Sequence, residues 1–556
     1  MSIAIDPVIE SQKNRRRTFA IISHPDAGKT TLTEKLLLFG GSIDIAGAVR
    51  GRKSQRAATS DWMELEKKRG ISVSSTVLTF EYNGCQINLL DTPGHHDFSE
   101  DTYRTLMAAD AAVMVIDLAK GIETQTEKLF RVCALRKMPV ITFVNKVDRT
   151  GLAPLEIIDE IERKFSIQAV PQTWPMGSGH EFCGVVDLHD DQVHLFHDRS
   201  GDRKVAAEVS SWSELTTETS RQDATTQTLG RLIPQSLIDA TRDEVDLVRI
   251  AGTQLEHERF LHGDQTPVFF GSALTNFGVE HFLQGFLKLC PPPGPRMSNV
   301  GLVSTSRKEF SGFVFKIQAN LDPKHRDRVA FMRVCTGRFE RDMEVTVTRN
   351  NKRIRLPRAL RIFGQDRQTM DEAYPGDIIG VVCPGEFRLG DTLCDGEPIQ
   401  YEPLPQFSPE FFAVLECGDT SRRKQFDRGL EQLIEEGAIQ VFHDSLATRR
   451  EMILAAVGEL QFDVVQFRLE SEYNTSTKIN WKPYKLVRWF NATELEKAEL
   501  KLPYTSMLVR DQFGHDAVLL QTEWNAKTLE KENPKIQFQA IRITSFDDLK
   551  LDPVVR

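Results

Sequence analysis

Nine consecutive residues, Ser23-His24-Pro25-Asp26-Ala27-Gly28-Lys29-Thr30-Thr31, stand between an apolar run, Phe19 to Ile22, and an amphipathic stretch carrying Leu32, Leu36 and Leu37. A strand, a tight turn and a helix in that order bring successive backbone N–H groups and the positive end of a helix dipole to one small volume, which favours a polyphosphate. Lys29 is placed to reach the β and γ phosphates as a point charge, and the Thr30 hydroxyl to ligate the Mg2+ that bridges them. The usual pattern opens with glycine, whereas this chain has Ser23, a residue that disfavours positive φ. The plain alternative is a helix start capped by Ser23 or Asp26.

Three further motifs follow in a fixed order. The run Cys85 to Leu90 reads as a strand ending in Asp91-Thr92-Pro93-Gly94-His95. Asp91 can hold Mg2+ through a water, and Gly94 lets a backbone N–H approach a terminal phosphate; alone, Asp-Thr-Pro-Gly is also an ordinary turn. The β-branched run Pro139 to Val144 then delivers Asn145-Lys146-Val147-Asp148. Asp148 can accept two hydrogen bonds from the N1–H and 2-amino edge of guanine, Lys146 cover the ring face and Asn145 tie the loop together. Adenine cannot supply those donors, and the buried carboxylate left unsatisfied costs about 1–3 kcal/mol or more. Last, Pro267 to Phe270 ends in Gly271-Ser272-Ala273-Leu274, whose Ala273 N–H could meet guanine O6. Four motifs at the carboxyl ends of successive strands put the ligand at the edge where open α/β sheets bind nucleotides.

Between the first two motifs lies a charged stretch from Asp61 to Ser72 without sustained periodicity. A guanine-nucleotide switch needs a hydroxyl there that joins the Mg2+ shell only while γ-phosphate is present. Ser72 is the candidate, with Ser74, Ser75 and Thr76 as alternatives; Lys67, Lys68 and Arg69 read better as a solvated helix end. His95 follows the sensor glycine directly, where an imidazole could orient the attacking water. Phosphoryl transfer passes through a loose transition state, so alignment and charge stabilisation matter more than strong base catalysis. Its neighbour His96 reads as a surface residue.

Together, Asp-Ala-Gly-Lys-Thr-Thr, Arg-Gly-Ile-Ser, Asp-Thr-Pro-Gly-His and Asn-Lys-Val-Asp resemble the translational GTPases, the family of elongation factor G. The segments Ser23 to Asp26, Gly312 to Asn320 and Asp322 to Arg328 look most like the members that act in termination, over nearly the whole chain. The resemblance implies a ribosome-dependent GTPase, cycling between GTP and GDP, that promotes dissociation of codon-reading release factors after peptide release without cleaving peptidyl-tRNA itself. It also implies that ribosomal RNA must hold His95 in place for full activity. The family usually has threonine where Ser72 stands, and tolerates small residues at Ser23.

The elements that must position these residues form several domains. A length of 556 residues suggests about three or four. An α/β GTP-binding domain, with a doubly wound and mostly parallel sheet, is expected over 1–295, ending at the stiff Pro291-Pro292-Pro293-Gly294-Pro295. Its stretch of about 149–266 is too long for one loop and is expected to be an inserted subdomain, with a hairpin around His189-Asp190-Asp191. Short alternating strands from Phe310 to Cys394 predict a β-barrel domain over 296–402. There Arg349, Lys352, Arg353, Arg355, Arg358 and Arg361 form either an RNA-facing strip or a solvated hairpin.

An α+β domain is expected over 403–556. A strand from Phe411 leads to a helix with Phe426, Leu430, Leu433 and Ile434 on one face, and a strand from Met452 to a helix with Leu460, Val464 and Phe467. The final part, with Trp481, Trp489 and Trp524, is strand-rich and carries no motif.

A net charge of −9 argues against indiscriminate nucleic-acid binding, so ribosome contact must be local; the strip above and Lys13, Arg15, Arg16 and Arg17 could serve. Eight cysteines without C-x-x-C spacing indicate neither a zinc site nor a disulfide framework. Residues 1 to 20 lack the apolar core of a signal peptide, and no stretch is long enough to span a bilayer, so a cytoplasmic location is expected; the protein is also expected to be a monomer. Three other readings are weaker. A sister elongation or ribosome-protection factor is opposed by the short C-terminal part, a GTP-gated binding protein without turnover by His95, and an ATP-driven motor by Asp148.

Overall fold

The computed structural model describes residues 6–42, 72–196, 207–216, 233–252, 254–319, 328–357, 359–363, 366–382, 385–444 and 451–542. The charged stretch from Asp61 to Ile71, most of the segment Asp322 to Arg328, and Arg358 lie outside these residues. The chain divides into two compact units, Ser11–His95 with Ala109–Gly294, and Met1–Glu10 with His96–Ala108 and Pro295–Arg556.

The first unit is built on β1 (Arg16–Ser23), β2 (Thr76–Tyr82), β3 (Cys85–Asp91), β4 (Ala111–Asp117), β5 (Val140–Asn145), β6 (Gln168–Pro171), β7 (Thr173–Met176), β8 (Gly184–Asp187), β9 (Gln192–Leu195), β10 (Glu208–Ser211) and β11 (Gln265–Phe270). The main sheet runs β2-β3-β1-β4-β5-β11-β6, with only β2 antiparallel to its neighbour. Its central strands β1, β3, β4 and β5 are buried nearly throughout, with apolar stretches such as Phe19 to Ile22 and Ala111 to Ile116, as parallel strands covered by helices must be. The Val279–Leu289 helix lays Phe282 and Phe286 on it, with Phe286 4.4 Å from Phe19 and Phe282 5.0 Å from Phe143 between ring centroids. Each such ring contributes about 1.5–3 kcal/mol by leaving water.

The register decides where chemistry can happen. Ile21 pairs with Asp91, Asp117 with Asn145, and Val144 with Phe270, so the carboxyl ends of β1, β3, β4, β5 and β11 meet at one edge. The stretch 149–266 differs from expectation. The Pro154–Phe165 helix leads into β6, which is the edge strand of the main sheet beside β11, and among the described residues β7 to β10 make a separate antiparallel sheet, ordered β10-β9-β8-β7. The four-residue β6 is too short for periodicity to separate it from a hairpin strand.

In the second unit, Ser311–Ala319 and Arg328–Thr336 lead an eight-stranded antiparallel sheet curled as a half-barrel around Val314, Met332, Val334, Ile379 and Leu393. Of the basic strip, Arg349 pairs with Asp391, Lys352 with Glu386 and Arg355 with Asp342. Beyond Pro405, two strand–helix repeats place the helices Arg423–Glu435 and Glu459–Tyr473 on a second eight-stranded antiparallel sheet. The strands at Leu486–Phe490, Met507–Asp511 and Asp516–Leu520 extend that same sheet, with Trp489 buried in it. Among the described residues no helix is long and apolar enough to cross a membrane.

Candidate functional site

Ser23 closes β1 in extended conformation, and its hydroxyl donates to the His24 carbonyl at 2.9 Å. The two left-handed positions of the loop fall instead on Asp26 (φ 65°) and Gly28 (φ 93°), which is why serine serves where glycine is usual. A Cβ on Gly28 would collide with the Asn145 side-chain amide, so glycine is required there twice over. Gly28 also caps the Lys29–Phe39 helix, whose first turn carries Lys29, Thr30 and Thr31 beyond Pro25 and Ala27.

Lys29 and Asp91 meet at 2.5 Å, both almost wholly buried. The ammonium thus lies against the carboxylate that the sequence assigns to Mg2+ through a water. Thr92 donates to the Ile21 carbonyl at 2.5 Å and fastens the turn of residues 91–94 to β1. Pro93 follows, and Gly94 packs against the backbone of Pro25, so the turn of residues 91–94 abuts the loop of residues 23–31. His95 is half-buried beside it. Thr76 begins β2 directly across from Asp91, while Ser72 sits half-buried four residues earlier, before the strand starts.

His24 approaches Glu123 at 3.1 Å, and its Nδ1 is buried without a hydrogen-bond partner among the described residues. Burial lowers its pKa and Glu123 opposes the shift only in part.

The segment Asn145 to Asp148 is stitched to the loop of residues 23–31. Asn145 donates to the Ala27 carbonyl at 2.8 Å and accepts from Ala273 N at 2.8 Å. Ala273 N–H, expected on guanine O6, therefore fixes Asn145; Ser272 turns the loop by accepting from Thr275 N at 3.3 Å, and Leu274 is exposed. Lys146, itself left-handed at φ 64°, donates to the Asp26 carbonyl and pairs with Asp117 at 2.7 Å. Val147 is fully buried and structural. Asp148 keeps one carboxylate oxygen, Oδ1, buried without a hydrogen-bond partner among the described residues. A buried acceptor costs about 1–3 kcal/mol while unmet, so a ligand presenting N–H donors there binds with that advantage.

The arrangement can grip a polyphosphate at one end and an N–H-bearing base at the other. Asp117 and Glu123 are polar partners absent from the sequence reading. Only an acid at the carboxyl end of β4 signals Asp117, and nothing about Glu123 distinguishes it from a helix-start residue.

One residue past His95 the second unit begins. His96 exposes its ring and lies 2.9 Å from Asp97. The Ser99–Leu106 helix that follows is held by Glu100 and Arg104, 2.7 Å apart, with Arg104 donating to Gly437 O at 3.0 Å and Gln440 to Phe407 O at 3.0 Å beside Glu100. Tyr103 stacks on Phe407 with centroids 4.1 Å apart. Arg333 and Arg296 donate to the carbonyls of Ala108 and Met107, cations at a helix C-terminus as the dipole favours.

The chain matches three known families: the Elongation factor Tu GTP binding domain over residues 14–292, Elongation factor G domain 2 over 309–396, and Class II release factor RF3, C-terminal domain, over 401–530. It is 51% identical over 538 residues to Peptide chain release factor 3 of Gloeobacter violaceus, covering 96% of this chain and 99% of that protein. The protein of the same name from Trichodesmium erythraeum is 49% identical, with 97% of each chain covered. A crystal structure from Thermus thermophilus superposes with a TM-score of 0.66 at 22% identity over 90% of this chain and 72% of that one, a likeness of fold.

Proposed function

Because the chain belongs to the peptide chain release factor 3 family, it is a translational GTPase acting in termination, and we propose that it uses GTP hydrolysis on the ribosome to drive codon-reading release factors off after peptide release. The observation that carries the nucleotide reading is the orphaned Asp148 oxygen, set on a loop that Asn145 and Lys146 tie to the phosphate turn. An acceptor in that place suits the N1–H and 2-amino group of guanine.

Residues 23–31 bind the phosphates, Asp91 to His95 sense the last one, and residues 145–148 with 272–274 bind the base. The donors also suit Mg2+, a hard cation that takes oxygen ligands. Thr30 and Ser72 would ligate it by hydroxyl and Asp91 through a water, where it would neutralise charge between the phosphates. Lys29 then exchanges the Asp91 carboxylate for phosphate oxygens. His95 orients the attacking water, and contact with the ribosome holds the imidazole in line. The protein works as a monomer in the cytoplasm.

Comparing GTP turnover with and without ribosomes, for the native chain and for His95→Ala, tests this. Ribosomes are expected to stimulate the native protein, and the variant to bind GDP normally while losing about 10²-fold or more of the stimulated rate. Absence of stimulation removes the ribosomal reading; equal turnover removes the role of His95.

A further inference from the structure

The guanine motif contains one cation, Lys146, and its neighbours determine whether that cation is a fixed feature of the site. Lys146 leaves β5 in left-handed conformation, which turns its side chain toward the phosphate loop. Its ammonium donates to the Asp26 carbonyl and to Asp117 Oδ2 at 2.7 Å. Asp117 is 4% exposed and closes β4 in register with Asn145. Its other oxygen accepts from Ala119 N at 2.9 Å, and its carbonyl accepts from Gly121 N at 2.8 Å, so the carboxylate cannot turn away.

A carboxylate this deep must be paired, and a lysine so close to it loses the freedom of a four-carbon stem. We propose that Asp117 is a positioning residue of the nucleotide site: it anchors the Lys146 ammonium on the phosphate loop, so that the lysine stem forms a rigid cover for the guanine ring and slows nucleotide release. The inference rests on the guanine reading of residues 145–148. Beside this pair, the base loop is tied to the phosphate loop by the Asn145 bond to Ala27 and by the carbonyl of Asp26, both neutral acceptors. Asp117 supplies the charge that makes the Lys146 link strong, and does so from a third strand.

The isosteric variant Asp117→Asn keeps the acceptor for Ala119 N and removes the charge. Release of fluorescently labelled GDP from the full chain is expected to be at least about 10-fold faster in Asp117→Asn, with association unchanged. In a Lys146→Met background the same substitution is expected to change release less than about 2-fold, because its target is gone. A purely structural role would instead lower the melting temperature of the nucleotide-free protein equally in both backgrounds and leave release unaltered. Native-like release by Asp117→Asn, or equal effects in the two backgrounds, overturns the proposal while GDP binding by the native chain stands. Failure of the native chain to bind GDP overturns the guanine reading itself, and this inference with it.

Discussion

The Asp97 carboxylate accepts a hydrogen bond from Leu460 N at 2.8 Å across 363 positions of sequence, and so caps the helix Glu459–Tyr473 from a segment that starts one residue after His95. A negative charge there meets the positive end of the helix dipole and one of its free N–H groups. Gly458 makes room: its backbone is ordinary extended chain, yet a Cβ would collide with the Asp97 carboxylate. Asp97→Ala is expected to destabilise this unit by about 1–3 kcal/mol through the unmet N–H. Gly458→Ala should cost a similar amount alone and much less when combined with Asp97→Ala, a coupling read from urea midpoints of the four proteins. Strictly additive losses would mean that the cap contributes nothing.

The buried Lys29–Asp91 pair makes a second prediction. Removing one partner of such a pair strands the other's charge, at about 3–5 kcal/mol, whereas removing both is far milder. In the nucleotide-free protein Lys29→Ala should therefore melt well below the native chain, and Lys29→Ala with Asp91→Ala should recover most of the difference. Both should lose GDP binding. If Lys29→Ala melts like the native protein, the pair is not formed in solution.

Much of this site is legible in sequence because its motifs are contiguous and each ends a strand. Ser23, Lys29, Asp91, Asn145 and Asp148 need only their neighbours to be recognised, and parallel register then brings them to one edge. What escapes depends on contacts between segments. Asp117 has meaning only opposite Lys146, and the Asn145 acceptor that meets Ala273 N–H lies 128 positions away. The helix Glu459–Tyr473 is rotated from its expected setting. The sequence pattern turns Leu460 and Phe467 inward with Val464, but the core takes Phe462, Val465 and Leu469. The helix is apolar on more than one side, so periodicity alone does not choose the face that meets the sheet.

Asp148→Asn should change the base that is preferred. The amide keeps an acceptor for N1–H and replaces the second acceptor with a donor, which opposes the 2-amino group of guanine and suits the 2-oxo group of xanthine. GTP affinity is expected to fall at least about 10²-fold while xanthosine triphosphate gains, measured by competition against labelled nucleotide. Unchanged selectivity would place the base elsewhere.

The inserted sheet should loosen in acid. Burial raises the Asp187 pKa, but the hydrogen bond from His281 at 2.8 Å and the N–H groups of His189 and Asp190 reverse the shift, holding the carboxyl well below its ordinary range. His194, edge-on to the His281 ring at 4.7 Å, has its pKa lowered by burial first and by His281 second, with Asp187 and Asp190 opposing. A histidine kept neutral stabilises the fold above its free value near about 6.5 and loses that contribution as protons arrive below it. A depressed carboxylate stabilises above its free value near about 3.9 and is lost as pH falls further. Both act in one direction, so hydrogen exchange in β8 and β9 should accelerate in two steps, one below about pH 6.5 and one below about pH 4. His281→Asn should weaken the lower step because Asp187 loses its histidine partner. Exchange independent of pH across that range, after correction for intrinsic rates, would show that the cluster does not hold the sheet.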